Sequence, residues 1–251
     1  MKKILVFIGC WRGQFVQDIK FFDTSEKKLK CKVKRSGKFS YQTKINNSLI
    51  KFQFCFGPDN DLVWRKRNKL KENLPPSIEH LSKMKIDADE IYYLGFCGVL
   101  KGKSEKVFLP ASFRKVIFDR YVLHDGHLKS MKFGRKISCK NNLMGRIEGK
   151  KCTCITSNQV LSLRYVKNNS PEILYKLAKK LSKHVDIVEM ENYEIVKRFG
   201  KGKNLGIFLY GCDSLAIRRK TLGDAKFRNR WGKFNKLGVE MIKEITKKEL
   251  R

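Results

Sequence analysis

Three short stretches of this 251-residue chain place reactive residue types at the ends of apolar runs: Glu189-Met190-Glu191, Gly95-Phe96-Cys97-Gly98 and Gly211-Cys212-Asp213. A carboxylate accepts two hydroxyl protons in a fork, and a thioether beside it offers an apolar bed; together they suit the hydroxyls and the flat face of a sugar. An aspartate at a strand end serves as a general acid when burial holds its proton on. In an open α/β sheet, ligands gather beyond the carboxyl ends of strands. Convergence of the three ends would therefore set a glycine segment and acidic side chains round one pocket. Each stretch alone also has an ordinary reading. An aspartate after a strand caps a helix, and glutamates at a solvated helix start are favoured by its dipole.

The elements that would position these residues follow from patterning. Lys3–Gly9 reads as a buried strand, Phe15–Phe22 as a short helix, and Lys30–Val33 and Lys38–Lys44 as polar strands. Ser48–Phe56 alternates and ends at a Gly57-Pro58 turn. Proline in the first turn suits a helix from Leu74 to about Lys85. Glu90–Leu94 is an apolar strand running into a glycine turn, and Val107–Leu109, Arg114–Leu123 and Lys151–Thr156 are strand-like, the last before a Ser157-Asn158 turn. Pro171–Lys183 is an amphipathic helix, with Ile173, Leu177 and Leu181 on one face. Val185–Met190 is a strand, Asn192–Phe199 a helix, Leu205–Tyr210 a buried strand and Trp231–Lys247 a closing helix with Phe234, Leu237, Met241, Ile242 and Ile245 inward. Continuous apolar strands mixed with helices predict one α/β domain over residues 1–251: a three-layer sandwich, its mixed and mostly buried sheet flanked by helices.

Composition narrows the function classes. No run approaches the roughly 20 apolar residues of a membrane span, so no membrane partner is expected. MKKILVFIGC has a short apolar part followed by Trp-Arg-Gly rather than a small-residue cleavage site, and reads as a first strand. Eight cysteines are scattered singly apart from Cys152-Thr153-Cys154, which points to a reducing cytoplasm and free thiols. The four histidines supply no metal-ligand spacing, and no metal is expected. The net charge of +32 is uneven: Glu148 is the only acid between Gly126 and Pro171, against ten Lys or Arg. Such a face attracts a phosphate group or RNA. KFRNRWGKF (226–234) interleaves Phe227, Trp231 and Phe234 with basic residues in the manner of a base-stacking surface. No RNA-binding motif accompanies it, and these aromatics also fit the inward stripe of the last helix. A nucleic-acid partner is therefore not the favoured reading.

The order of the stretches resembles the nucleoside phosphorylase and nucleosidase superfamily, which includes the purine and uridine phosphorylases and the methylthioadenosine nucleosidases. The segments that carry the likeness are Ile8-Gly9-Cys10, Phe56-Gly57-Pro58-Asp59-Asn60, Tyr92 to Leu100 with its Gly-x-x-Gly, Thr156-Ser157-Asn158-Gln159-Val160, Val188-Glu189-Met190-Glu191 and Gly211-Cys212-Asp213. They span most of the chain in sequence order, and the Met-Glu signature is the most specific of them. The resemblance implies cleavage of an N-glycosidic bond through an oxocarbenium-like transition state. It gives Met190 and Glu191 to the ribose with Glu189 nearby, and Asn158, Gln159 and Val160 to the base. Asp213 becomes the acid at the purine N7. Gly9, Arg12, Gln14, Gly95 and Phe96 fall to the nucleophile pocket. It also implies a nucleoside-like ligand, a homo-oligomer and no cofactor, with inorganic phosphate the co-substrate if the reaction is a phosphorolysis.

This chain departs from the family pattern where the nucleophile is handled. Gln14 stands where nucleosidases of the family place a water-orienting glutamate, and an amide cannot act as a base. Tyr93 stands where purine-type phosphorylases have an arginine, and Phe96 replaces a serine or threonine. Arg12 lies within one residue of the family's N-terminal phosphate-binding arginine. Val160 replaces a base-stacking aromatic, and Asn192 replaces the small residue after Glu-Met-Glu. Three readings compete: cleavage of an altered nucleoside, nucleoside binding without catalysis, and a basic RNA-binding protein.

Overall fold

The computed structural model describes residues 1–9, 15–55, 75–117, 131–157, 170–202, 204–214 and 227–247, with the backbone alone at 15–20, 79, 82, 171, 213, 214 and 227–231. Its elements run β1 (Lys2–Gly9), α1 (Phe15–Leu29), β2 (Lys34–Gly37), β3 (Ser40–Ile45), β4 (Ser48–Cys55), α2 (Ile78–Lys83) and β5 (Glu90–Val99). They continue with β6 (Val107–Ile117), β7 (Lys132–Ser138), β8 (Lys150–Ser157), α3 (Pro171–Ser182), β9 (Ile187–Glu189), α4 (Asn192–Phe199), β10 (Asn204–Ser214) and α5 (Phe227–Thr246).

Alternation along the central strands explains why they read as unbroken apolar runs. Ile4, Val6 and Ile8 of β1, Tyr92 and Leu94 of β5, and Phe208 and Tyr210 of β10 pack against Phe21 and Phe22 of α1 and Phe234, Met241, Ile242 and Ile245 of α5. The residues between them (Leu5, Phe7, Ile91, Tyr93, Ile207 and Leu209) face the opposite layer, against Leu81 of α2 and Ile195 and Phe199 of α4. Both faces are covered, so successive side chains are all apolar. Helices on both faces of a mixed sheet make the expected α/β sandwich.

Half of the sheet does more than stay flat. β5 pairs in parallel with β1 from Glu90 to Leu94 and with β10 over its whole length, and antiparallel with β9 at Gly98 and Val99. β9 then joins β8, β8 joins β6, and β6 returns to β10, so five strands close on themselves. Sequence patterning carries no sign of this closure. It makes strands of segments whose glycines suggested turns: Gly95–Gly98 lies within β5, and Gly211-Cys212-Asp213 lies within β10, with a register shift between Gly211 and Asp213.

The ring is held at one of its two narrowest seams. β10 and β6 pair only at Leu209 with Phe108 and Tyr210 with Val107. Beyond that the buried Asn141 bridges them: its Nδ2 donates to Pro110 O (3.0 Å) and Ile207 O (2.8 Å), and its Oδ1 accepts from Ile207 N (3.1 Å) and Leu143 N (3.2 Å). An amide here imitates a missing strand. Asn141→Leu should cost about 3 kcal/mol or more in urea unfolding, since it orphans several buried backbone groups at about 1–3 kcal/mol each. A change below about 1 kcal/mol would show that the seam does not need it.

Several expected boundaries move. The first helix runs on to Leu29, about two turns beyond Phe22, and the polar hairpin sits at 34–37 and 40–45. Val107–Ile117 is one strand that shifts register at Pro110/Ser112 rather than two. The strand before the Glu-Met-Glu stretch is only Ile187–Glu189. No helix among the described residues is long and apolar enough to cross a membrane.

Candidate active site

The carboxyl ends of β1, β4 and β9 meet the middle of β5 at a buried acidic cluster. β9 ends on Glu189, and α4 starts three residues later, so Glu189 meets the unpaired N–H groups that open a helix. Its Oε2 accepts from Glu191 N (2.6 Å), Asn192 N (2.7 Å) and Asn192 Nδ2 (2.7 Å). Its Oε1 accepts a short hydrogen bond from Thr156 Oγ1 and a longer one from Cys154 Sγ (3.8 Å). Thr156 Oγ1 in turn accepts from Tyr193 N at 2.9 Å. A carboxylate has about four acceptor sites, and these donors fill them.

This occupancy leaves Glu189 engaged by the protein's own donors. It is the residue that fixes the strand-to-helix turn. Asn192, which departs from a small residue in sequence, is one of its three side-chain donors and is fully buried. Glu189→Ala would strand several buried donors and is expected to destabilise the fold by about 3–5 kcal/mol. Glu189→Gln, which keeps the shape, should cost less; equal losses in chemical denaturation would show that the charge is what matters.

Glu191 is arranged differently. It too is buried, but its Oε2 alone is engaged by the donors seen here, accepting from Tyr93 Oη (2.9 Å) and Met190 N (3.3 Å). Met190 itself is half-buried. Burial foremost, then the charge of Glu189, raises the Glu191 carboxyl from its ordinary value of 4.5 to about 8, against the pull of the Tyr93 hydroxyl. Burial pushes Glu189 up as well, and its many donors pull it back. Three N–H groups on one oxygen suit an anion, so the proton this pair retains belongs to Glu191.

Tyr93 is fully buried between strand ends, where Gly9 of β1 and Gly95 of β5 leave it room. A methyl group at Gly9 would collide with its hydroxyl, and one at Gly95 would lie 2.7 Å from it. Burial first, with Glu191 next, keeps the phenol protonated. Cys55, at the end of β4, is fully buried with its Sγ 3.5 Å from Ile8 O, and burial raises its thiol far from the reactive thiolate form.

Asp213 joins this end of the sheet through its backbone. Gly98 of β5 pairs with Asp213 on one side and with Val188 on the other. Two strand spacings put the Asp213 and Val188 backbones roughly 10 Å apart, across β5. Phe96, expected in the nucleophile pocket, points to the other layer: its ring stacks on Phe234 of α5 at 4.1 Å, with Tyr210 edge-on at 6.2 Å. Phe234 is thereby part of the core and not of a base-stacking surface. Arg12, Gln14, Asn158, Gln159 and Val160 lie outside the described residues, as does the Phe56–Asn60 segment.

No family model matches the sequence, and no curated protein matches it. Solved structures do. A 5'-methylthioadenosine/S-adenosyl homocysteine nucleosidase from Campylobacter jejuni superposes with a TM-score of 0.59 at 12% identity, covering 98% of this chain and 99% of that one. An MTA/SAH nucleosidase structure gives 0.60 at 14%, over 98% and 97% of the two chains.

The fold is that of the nucleosidases.

The nucleosidase of Chlamydia trachomatis bound to MTA follows at 0.57 and 11% identity, again over 98% of this chain. The nucleosidase fold extends over nearly the whole chain, as the resemblance implied. The Tyr93–Glu191 bond and the Thr156 and Asn192 anchors of Glu189 escaped the sequence reading. Tyr93 was visible only as a residue out of pattern, and a partner 98 positions away leaves no local spacing to read.

Proposed function

We propose that this chain cleaves the N-glycosidic bond of a nucleoside or nucleoside derivative. The observation that carries the reading is Glu191: a buried carboxyl beside the half-buried Met190, braced on one oxygen by Tyr93, at the sheet end that Asp213 also reaches. A carboxyl buried with acceptor capacity to spare is suited to hydroxyl donors such as those of a ribose. The bond between the sugar's anomeric carbon and the base nitrogen breaks with its electron pair leaving on the base. Asp213 gives a proton to the base, and the positive charge on the sugar is quenched by an oxygen nucleophile. When that nucleophile is water, its surplus proton returns through solvent to Asp213, and the net reaction is nucleoside plus water to base plus ribose.

Solved structures of the same fold with MTA and with adenine bound support a purine-bearing ligand. The test is release of free base from a panel of purine, pyrimidine and modified nucleosides. Base release that disappears in Asp213→Asn supports the reading. Binding without release leaves a nucleoside-binding protein, and a panel neither bound nor cleaved refutes it.

A further inference from the structure

β5 has β10 on one side, carrying Asp213, and β1 on the other, ending at Gly9 level with Gly95. Displacement at a sugar carbon expels the leaving group on one side and admits the nucleophile from the opposite one. On the reading above, the base departs toward β10, so the nucleophile must arrive over the end of β1. That space holds the Tyr93 phenol.

We propose that Tyr93 selects water over phosphate as the nucleophile, by filling the space between Gly9, Gly95 and Glu191. This rests on the nucleoside-cleaving reading. Three observations converge on it. The phenol is wedged against both glycine backbones, which leaves little volume for a tetrahedral anion. Its hydroxyl is committed to Glu191 at 2.9 Å and donates nothing toward an incoming phosphate. Glu189, the fixed anion of the cluster, also acts on it, and its charge repels a phosphate dianion and leaves neutral water indifferent.

The experiment uses inorganic phosphate with wild type, Tyr93→Phe and Tyr93→Arg. Melting is compared with chloride at equal ionic strength, and the sugar product is identified. Wild type and Tyr93→Phe, which keeps the ring, should release ribose at a rate changed less than about twofold by phosphate. Tyr93→Arg, whose guanidinium forks phosphate oxygens, should show a saturable phosphate-dependent rise in melting beyond that of wild type. Ribose 1-phosphate from wild type overturns the proposal, as does a Tyr93→Arg protein that responds to phosphate no more than wild type. If Tyr93→Arg does not fold, the wild-type product decides. If no nucleoside is cleaved, the cleavage reading fails and the melting comparison still judges phosphate exclusion.

Discussion

Replacing Glu191 with glutamine should weaken nucleoside binding by about 10²- to 10⁴-fold, because two hydrogen bonds to a charged group are lost at about 1.5–3 kcal/mol each. The same change should stabilise the ligand-free protein at alkaline pH. The Glu191 carboxyl is raised from 4.5 in the unfolded chain to about 8 in the fold. A folded-state value above the unfolded one means that the native state holds the extra proton between those limits. The stability this group contributes is complete below pH 4.5 and drains away as pH rises to about 8. Glutamine imitates the protonated form, so Glu191→Gln should flatten the decline and melt above wild type beyond pH 8. A site that binds better and folds worse with its glutamate intact is a familiar trade between function and stability. Calorimetry should also show nucleoside affinity rising with pH, by up to about tenfold per unit, and levelling near 8, because hydroxyl donors want the carboxylate. Affinity independent of pH from 6 to about 9 would take Glu191 out of the sugar site.

Asp213→Asn is the second large effect: cleavage should fall by about 10²- to 10⁴-fold, the usual worth of a positioned proton donor. Binding of an uncleaved nucleoside should change by only a few-fold, since an amide keeps the shape and a hydrogen bond to the base. The split separates an acid that acts in the transition state from a residue that merely holds the ligand. Equal losses in binding and rate would demote Asp213 to a contact. Its neighbour in register, Gly98, also pairs with β9, so Asp213 and the strand that leads to Glu191 are tied through β5. A mutation that loosens β5 should therefore damage both functions together.

What the sequence disclosed follows from physics that acts locally. Strands buried on both faces are continuous apolar runs, and β1, β5 and β10 were legible for that reason, while β4 was legible by its alternation. β7 (KFGRKIS) was not: all but one of its residues are exposed, it sits on an edge beside β6, and its charges suit an unpaired margin better than any strand template. The glycines of Gly95–Gly98 suggested a turn because glycine weakens strands. In the structure Gly95 is small because Tyr93 lies across it, a tertiary cause invisible to a window of neighbours. The site divides in the same way. Met190 and Glu191 stand out by type and order, whereas the different fates of Glu189 and Glu191 depend on Thr156, Cys154 and Tyr93, brought in from other strands. Two glutamates flanking one methionine look alike in sequence. Only the donors around them make one a fixed anion and the other a carboxyl with an oxygen to offer.

The most direct measurement is a crystal structure with a nucleoside bound. The account predicts ribose hydroxyls within about 3.2 Å of the Glu191 carboxylate, the sugar face on Met190, and the base on the β10 side within reach of the Asp213 carboxyl. A nucleoside bound elsewhere, or one seated on Glu191 with its base turned away from Asp213, would contradict it.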